Sequence, residues 1–336
     1  MTPRRGIGTQ KGKHMTGRRD FIGGVFAAGA SAVAGGCRMF TGCKDDFDDS
    51  LAVFLADSHV CDDAVLSRWA YTCDELDRRI AEIFAMRPLP RNVVVFGDLV
   101  LDTGKARDYE VVRRKLRLLV DAGIRLTLGV GNHDRRLPFW DAFPETRAAS
   151  PVEGRVVSVV RMKHCDLVLL DSLVGKAGEE PGTASGTLDD AQQEWLADFL
   201  PRQTRPTFVG AHHLTNELSV RGRPIVSLLK ESPAVVGWIN GHDHRWTKRP
   251  LTSWGAKVQD TIRGLTLPSA GLWGDIGSVE FRMRPDGARA VLHETGYWFN
   301  DRLHKDEAEP ETWKVIVAEN RGQYCEFPFS RMMRKS

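Results

Sequence analysis

The sequence predicts an α/β fold: two mixed β-sheets stacked as a sandwich and flanked by helices. Three observations lead there. Apolar runs of strand length recur between residues 51 and 244, and segments with helical spacing separate them. A strand, helix, strand order kept up over about 200 residues implies crossover units around a largely buried sheet. Further strand-like runs crowd the region after residue 264, enough for a second sheet to close a sandwich.

The strand-like runs, in order, are "LAVFLAD" (51–57), "NVVVFGD" (92–98), "IRLTLGVGNHD" (124–134), "RVVSVVRM" (155–162), "DLVLLDS" (166–172), "PTFVGAHH" (206–213) and "AVVGWINGHDH" (234–244). Helices are expected over 73–86, where Leu76, Ile80, Ile83 and Phe84 share a face, and over 109–123 and 188–200. Asp189 and Asp190 occupy cap and first-turn positions of the last, and Gly123 follows the second as a stop. Farther on, "GLTLPSAGLWG", "SVEFRMR" and "RAVLHETGYWF" read as strands, with "RPDGAR" turning between the last two. Residues 301–336 are charged and weakly periodic and are expected to form a C-terminal extension.

Charge is unevenly spread. The chain carries a net +3, but residues 1–43 hold seven basic residues against one acid, Asp20. The remainder has 40 basic and 43 acidic residues, a poor match for a polyanion, so no nucleic-acid partner is expected. Paired arginines in "TGRRDFIGG" precede an Ala/Gly-rich apolar run, Phe21 to Gly36, that ends at Cys37. This is the charged region, apolar region and small-residue zone of an export signal. It resembles a twin-arginine signal, with Gly17 and Gly23 in place of the usual polar and basic residues. Cys37 after Val33-Ala34-Gly35-Gly36 resembles a lipoprotein processing site; plain cleavage after Ala32 or Ala34 is the alternative. The expected organisation is an export signal over 1–43, one main α/β domain over 44–300 and the extension over 301–336. The mature protein would be periplasmic or membrane-anchored, touching the membrane only through a lipid. Cys61 and Cys73 could pair in an oxidising compartment, although no spacing demands it.

Five strand-like runs end in residues able to bind a metal: Asp57 and His59 in "ADSH", Asp98 in "FGD", Asn132 and His133 in "GNHD", His212 and His213 in "GAHH", and His242 and His244 in "GHDH". Six of the ten histidines fall at these places. Crossover topology would carry such ends to one edge of the sheets, where ligands bind in α/β folds. Carboxylate, amide oxygen and imidazole together suit Zn, Mn or Fe. Two such ions about 3.5–4 Å apart can share a carboxylate. Asp98, after Gly97 at the end of an apolar strand, is the natural shared ligand. No cluster contains a cysteine, which argues against a structural zinc site.

"DSH", "GD", "GNHD", "HH" and "GHDH", in this order, resemble the calcineurin-like metallophosphoesterases over about residues 50–300. The resemblance implies a four-layer α/β/β/α sandwich and two divalent ions, one held by Asp57, His59, Asp98 and His244, the other by Asp98, Asn132, His212 and His242. It implies that a hydroxide bridging the ions attacks a small-molecule phosphate ester, with His133 beside the scissile bond rather than on a metal. "GNHDRRLPFWDAFPE", "LLDS", "GTLDDAQQEWL" and "GHDHR" look like the branch of class III cyclic-nucleotide phosphodiesterases and glycerophosphodiesterases. "HHLTNE" lacks the proline usual after the two histidines, which leaves His212 against His213 open, with His212 favoured. "GDLVLDTG" carries one extra residue, which makes Asp102 a turn residue rather than a ligand.

A phosphodiester is the favoured substrate; a phosphomonoesterase of the same fold or a non-catalytic binding scaffold are the alternatives. Arg135 and Arg136, just beyond His133, are expected at the cleft rim, with Arg135 as a candidate substrate contact. Asp171 is expected to be a structural hydrogen-bonding residue.

Overall fold

The computed structural model describes residues 46–61, 72–101, 103–251, 262–271, 273–300, 313–316 and 321–330. The signal-like segment, Cys37 and Asp102 lie outside the described residues. Among the described residues no helix is long and apolar enough to cross a membrane.

Strands β1 (Phe47–Leu55), β2 (Leu89–Phe96) and β3 (Arg125–Gly129) pair in parallel, joined by helices α1 (Thr72–Ala85) and α2 (Ala106–Asp121). Parallel neighbours demand such crossovers, and the helical runs expected from spacing supply them. Two short helices, α3 (Arg136–Ala142) and α4 (Pro144–Ala149), follow β3 and lead to the antiparallel pair β4 (Ser158–Arg161) and β5 (Asp166–Leu169). Helix α5 (Asp190–Phe199) opens on Asp189, whose side chain accepts from Gln192 N at 3.0 Å, the expected cap.

Strand β6 (Thr207–Ala211), the short β7 (Ser219–Val220) and β8 (Arg223–Pro224), helix α6 (Ile225–Glu231) and strand β9 (Val235–Asn240) come next. Strands β10 (Thr247–Leu251) and β11 (Ile262–Thr266) finish one sheet, of order β10-β11-β9-β6-β5-β4. Strands β12 (Gly274–Arg284), β13 (Gly287–Asn300), β14 (Trp313–Ile316) and β15 (Tyr324–Pro328) complete the other, of order β14-β13-β12-β1-β2-β3 with β15 on β13. Both sheets are mixed: β12 runs antiparallel to β1, and β10 antiparallel to β11.

Alternation along the strands builds the central layer. Phe54, Phe96, Phe208, Phe281 and Phe327 meet between the sheets; Phe54 stacks on Phe281 at 4.6 Å, and Phe208 meets Phe281 and Phe327 edge-on at 5.1 Å. Each such ring contributes about 1.5–3 kcal/mol by leaving water. The opposite face of the first sheet buries Val53, Leu55, Val93 and Val95 against Leu76, Ile80, Val112 and Leu116 of α1 and α2. The second sheet covers its outer face with Leu196 of α5 and Ile225 and Leu229 of α6. Helix, sheet, sheet, helix is therefore the layer order. Residues 324–328, within the segment expected as an extension, form a core strand: Cys325, Phe327 and Phe329 are buried. Cys61 and Cys73 are not joined in a disulfide; Cys73 Sγ donates to the Cys61 carbonyl instead.

Candidate metal centre

Parallel β1, β2, β6 and β9 all end at one edge of the sandwich, and their chemistry-bearing residues follow within a few positions. Asp57, His59, Asp98, Asn132, His212 and His213 are buried, and the His244 side chain is largely buried against Asp57. The backbone there is unusual. Asp57, His59, Asp98, His242 and His244 all adopt positive φ, between 44° and 74°. Side chains other than glycine rarely do so, at a cost on the order of 1–3 kcal/mol each. Five such residues converging on one point identify strain held for function. Glycines make the convergence possible: a Cβ on Gly131 would fall 2.3 Å from Asp98 Oδ1, and one on Gly241 would fall 2.7 Å from Asp57 Oδ2.

Two donor groups meet at Asp98. In the first, His244 Nε2 lies 3.2 Å from Asp57 Oδ1 and 3.1 Å from His59 Nε2, and His59 Nε2 lies 3.8 Å from Asp98 Oδ2. In the second, His212 Nε2 lies 3.2 Å from Asp98 Oδ2, 3.1 Å from Asn132 Oδ1 and 3.2 Å from His242 Nδ1. A ring nitrogen carries one proton or one lone pair, so His212 Nε2 cannot hydrogen-bond all three neighbours. Ligand atoms about 2.1 Å from a shared ion, at tetrahedral or octahedral angles, stand roughly 3.0–3.4 Å apart. Five of these six spacings fall in that range, with only His59 Nε2 to Asp98 Oδ2 longer at 3.8 Å, and the donor set of carboxylate, amide and imidazole suits first-row divalent ions.

Hydrogen bonds outside the cluster aim these donors. His212 Nδ1 bonds the Phe96 carbonyl at 3.0 Å, which turns Nε2 inward. Asp57 accepts from His242 N, and Asp98 Oδ1 accepts from His133 N at 2.9 Å. Asp134 ties two ligand loops together, taking Gly131 N at 2.8 Å, Leu99 N at 3.3 Å and Tyr109 Oη at 2.9 Å.

Electrostatics follow burial and pairing. Burial pushes His59 down to about 3. It also opposes charge on His212, but the Asp98 carboxylate prevails and lifts that imidazole to about 10. His244 rises likewise against Asp57. Asp98 is held well below the usual carboxylate range: burial works against its charge, and His212 and His59 outweigh it. Asp134 rises to about 7 through burial and the neighbouring Asp98.

Of the two adjacent histidines, His212 reaches Asp98, whereas His213 Nδ1 bonds Ser172 Oγ at 2.8 Å. His213 Nε2 is buried without a hydrogen-bond partner, and the ring lies 4.8 Å from that of His242. His133 packs edge-on against His59, ring centres 4.7 Å apart, and is half-buried. Arg135 Nη1 donates to the carbonyls of Asn132 and Asp134 at 3.1 and 2.6 Å, so this guanidinium braces the ligand loop.

Arg136 corrects the expected placement at the rim. It is fully buried, forked onto Asp171 at 2.7 and 2.8 Å, and bonded to the Leu173 carbonyl at 2.6 Å. Asp171 is accordingly structural, as expected. Trp273 escaped the sequence reading; it holds φ +56 and stacks on His244 with ring centres 6.1 Å apart.

Fold and site together define a metallophosphoesterase-type sandwich with clustered His and Asp donors for divalent metal. The chain belongs to the calcineurin-like phosphoesterases, whose family model matches residues 52–246, more than half of it. Among solved structures, the purple acid phosphatase of yellow lupin seeds superposes with a TM-score of 0.51 at 9% identity, covering 84% of this chain and 55% of that one. A 5'-nucleotidase precursor from Thermus thermophilus gives 0.39 at 13% identity, over 84% of this chain and 55% of that one. Vps29 from Entamoeba histolytica, complexed with zinc, gives 0.34 at 11% identity, over 83% and 99%. This chain thus spans about half the length of the phosphatase and the nucleotidase. No curated protein matches it.

Proposed function

We propose that the protein is a phosphodiesterase working with two divalent ions, of Mn, Fe or Zn. The observation that carries this reading is Asp98 Oδ2, near His212 Nε2 on one side and His59 Nε2 on the other. Asp57, His59, Asp98 and His244 would hold one ion; Asp98, Asn132, His212 and His242 the other. Bound there, the ions would neutralise phosphoryl charge and lower the pKa of a water.

The chain's own groups do the rest. His133, on the loop that orients Asp98, protonates the leaving oxygen. Arg135, with Nη1 committed to the loop, turns its remaining N–H groups to a phosphate oxygen. The alkoxide released from a diester or a monoester needs that proton alike. A diester suits this arrangement because it brings one less negative charge than an ionised monoester to a site already holding two buried carboxylates. The test is kcat/KM for bis(p-nitrophenyl) phosphate against p-nitrophenyl phosphate under Mn, Zn and Fe. We expect the diester to be preferred; a monoester preference under every metal would make the protein a phosphatase instead.

Export belongs to the same proposal. Residues 1–43 would direct the folded chain out of the cytoplasm, with Cys37 as the lipidation point. Replacing Arg18 and Arg19 by lysine should retain unprocessed protein inside the cell, and Cys37→Ala should abolish fatty-acid labelling. Unchanged export in the double-lysine variant would remove the twin-arginine reading alone.

A further inference from the structure

The opposite edge of the sandwich carries a concentration of positive charge. A cavity of about 220 Å³ opens where β2 and β3 begin and the β4–β5 turn comes close, lined by Asp49, Arg91, Asn92, Arg125, Arg161 and Lys163. Asn92 precedes Asp98 by six residues along β2, so roughly 20 Å of extended chain separates this cavity from the metal cluster. Four cations and one carboxylate line it, on a body whose net charge beyond residue 43 is negative.

Existing partners account for only part of that charge. Arg91 Nε donates to Asp49 Oδ1 at 2.7 Å and its guanidinium lies over the Phe47 ring. Arg161 pairs with Asp166. Among the described residues no carboxylate pairs with Arg125 or Lys163. Asn92 is 2% exposed, and its amide nitrogen has no hydrogen-bond partner. A buried amide donor left unsatisfied costs about 1–3 kcal/mol, and the residue that carries this one borders the basic cavity.

We propose that this cavity is an anion site for a phosphate group, separate from the metal centre. A tetrahedral oxyanion offers acceptors in several directions, which matches donors arriving from three strands and a turn better than a planar carboxylate does. Guanidinium groups fork onto phosphate oxygens, and the Lys163 ammonium supplies a point charge. Free phosphate and a phospholipid headgroup present the same chemistry.

The test titrates inorganic phosphate into the full-length chain, stripped of metal so that the metal centre does not compete. Wild type and Arg125→Ala/Lys163→Ala are compared by calorimetry. We expect one saturable site in wild type and affinity at least tenfold weaker in the variant, with hydrolysis by the metal-loaded variant unchanged. Flotation with phosphatidylglycerol and phosphatidylcholine vesicles separates the sources: variant-sensitive capture by the anionic vesicles assigns the headgroup, and variant-sensitive binding of free phosphate alone assigns a soluble anion. Equal phosphate and vesicle binding by wild type and variant, or no binding by wild type, overturns the site. Arg125→Lys, which keeps the charge and loses the fork, should fall between the two and guards against a folding defect.

Discussion

The backbone N–H of His133 donates to Asp98 Oδ1 at 2.9 Å, and this bond leaves Oδ2 as the oxygen that both donor groups approach. One residue thus has two separable parts: its main chain orients the shared carboxylate, and its imidazole stands beside the cluster.

That separation predicts different outcomes for two variants. Asp98→Ala removes the shared oxygen, so most bound metal and all hydrolysis should disappear together. His133→Ala keeps the N–H that holds Asp98, so metal content should stay near wild type while kcat falls, by about 10²–10⁴-fold for a lost general acid. Metal analysis beside steady-state kinetics decides it. An empty His133 variant, or a loaded and active Asp98 variant, would reverse the roles.

The candidate site was legible because its residues end apolar runs: Asp57, Asp98, Asn132, His212 and His242 each follow a segment that reads as a strand. The left-handed backbone of Asp57, Asp98 and His242 was hidden, since nothing in "ADSH" or "GHDH" distinguishes an extended end from a turn at φ 55° or 74°. Arg136 was misplaced because its neutraliser, Asp171, lies 35 residues away and pairs with it only after folding. β15 carried a period-two signal in Cys325, Phe327 and Phe329, which Pro328 and the charged flanks obscured. Helices α3, α4 and α6 have six or seven residues, too few for a helical period to stand out.

Metal binding should release protons. His212, raised to about 10, is protonated at pH 7 in the metal-free chain, and His244 is shifted in the same direction. His59, pushed down to about 3, and His242, also lowered, are neutral. Ligation needs neutral imidazole, so filling the site should expel at least about one proton, from His212, and apparent affinity should rise with pH through the neutral range. Calorimetry in buffers of different ionisation enthalpy measures this directly. Binding heats that do not change with buffer would contradict it.

Arg136→Ala should destabilise the protein by about 3–5 kcal/mol, because it strands a buried Asp171 carboxylate. Arg136→Lys should recover only part, since an ammonium cannot fork onto both carboxylate oxygens while also reaching the Leu173 carbonyl. Urea denaturation of the three proteins would settle the order. A loss under about 1 kcal/mol in the alanine variant would mean that Asp171 finds water or another cation.

Tyr109→Phe tests whether the two ligand loops are locked together from behind. The Tyr109 hydroxyl donates to Asp134 and accepts from Arg135 N at 2.9 Å, while Asp134 holds Gly131 N on one loop and Leu99 N on the other. Removing the hydroxyl leaves a buried N–H unsatisfied and a carboxylate short of a donor, worth about 1–3 kcal/mol of stability. The consequence for function is more specific. Asp98 and Asn132 sit on the two loops, so loosening their common tie should weaken metal affinity about tenfold or more while leaving kcat at saturating metal nearly intact. A merely structural tyrosine would lower the melting temperature without moving the metal titration. Metal-dependent activity curves for wild type and variant, read beside thermal melts of both, distinguish a tie that spaces the ligands from one that only fills the core.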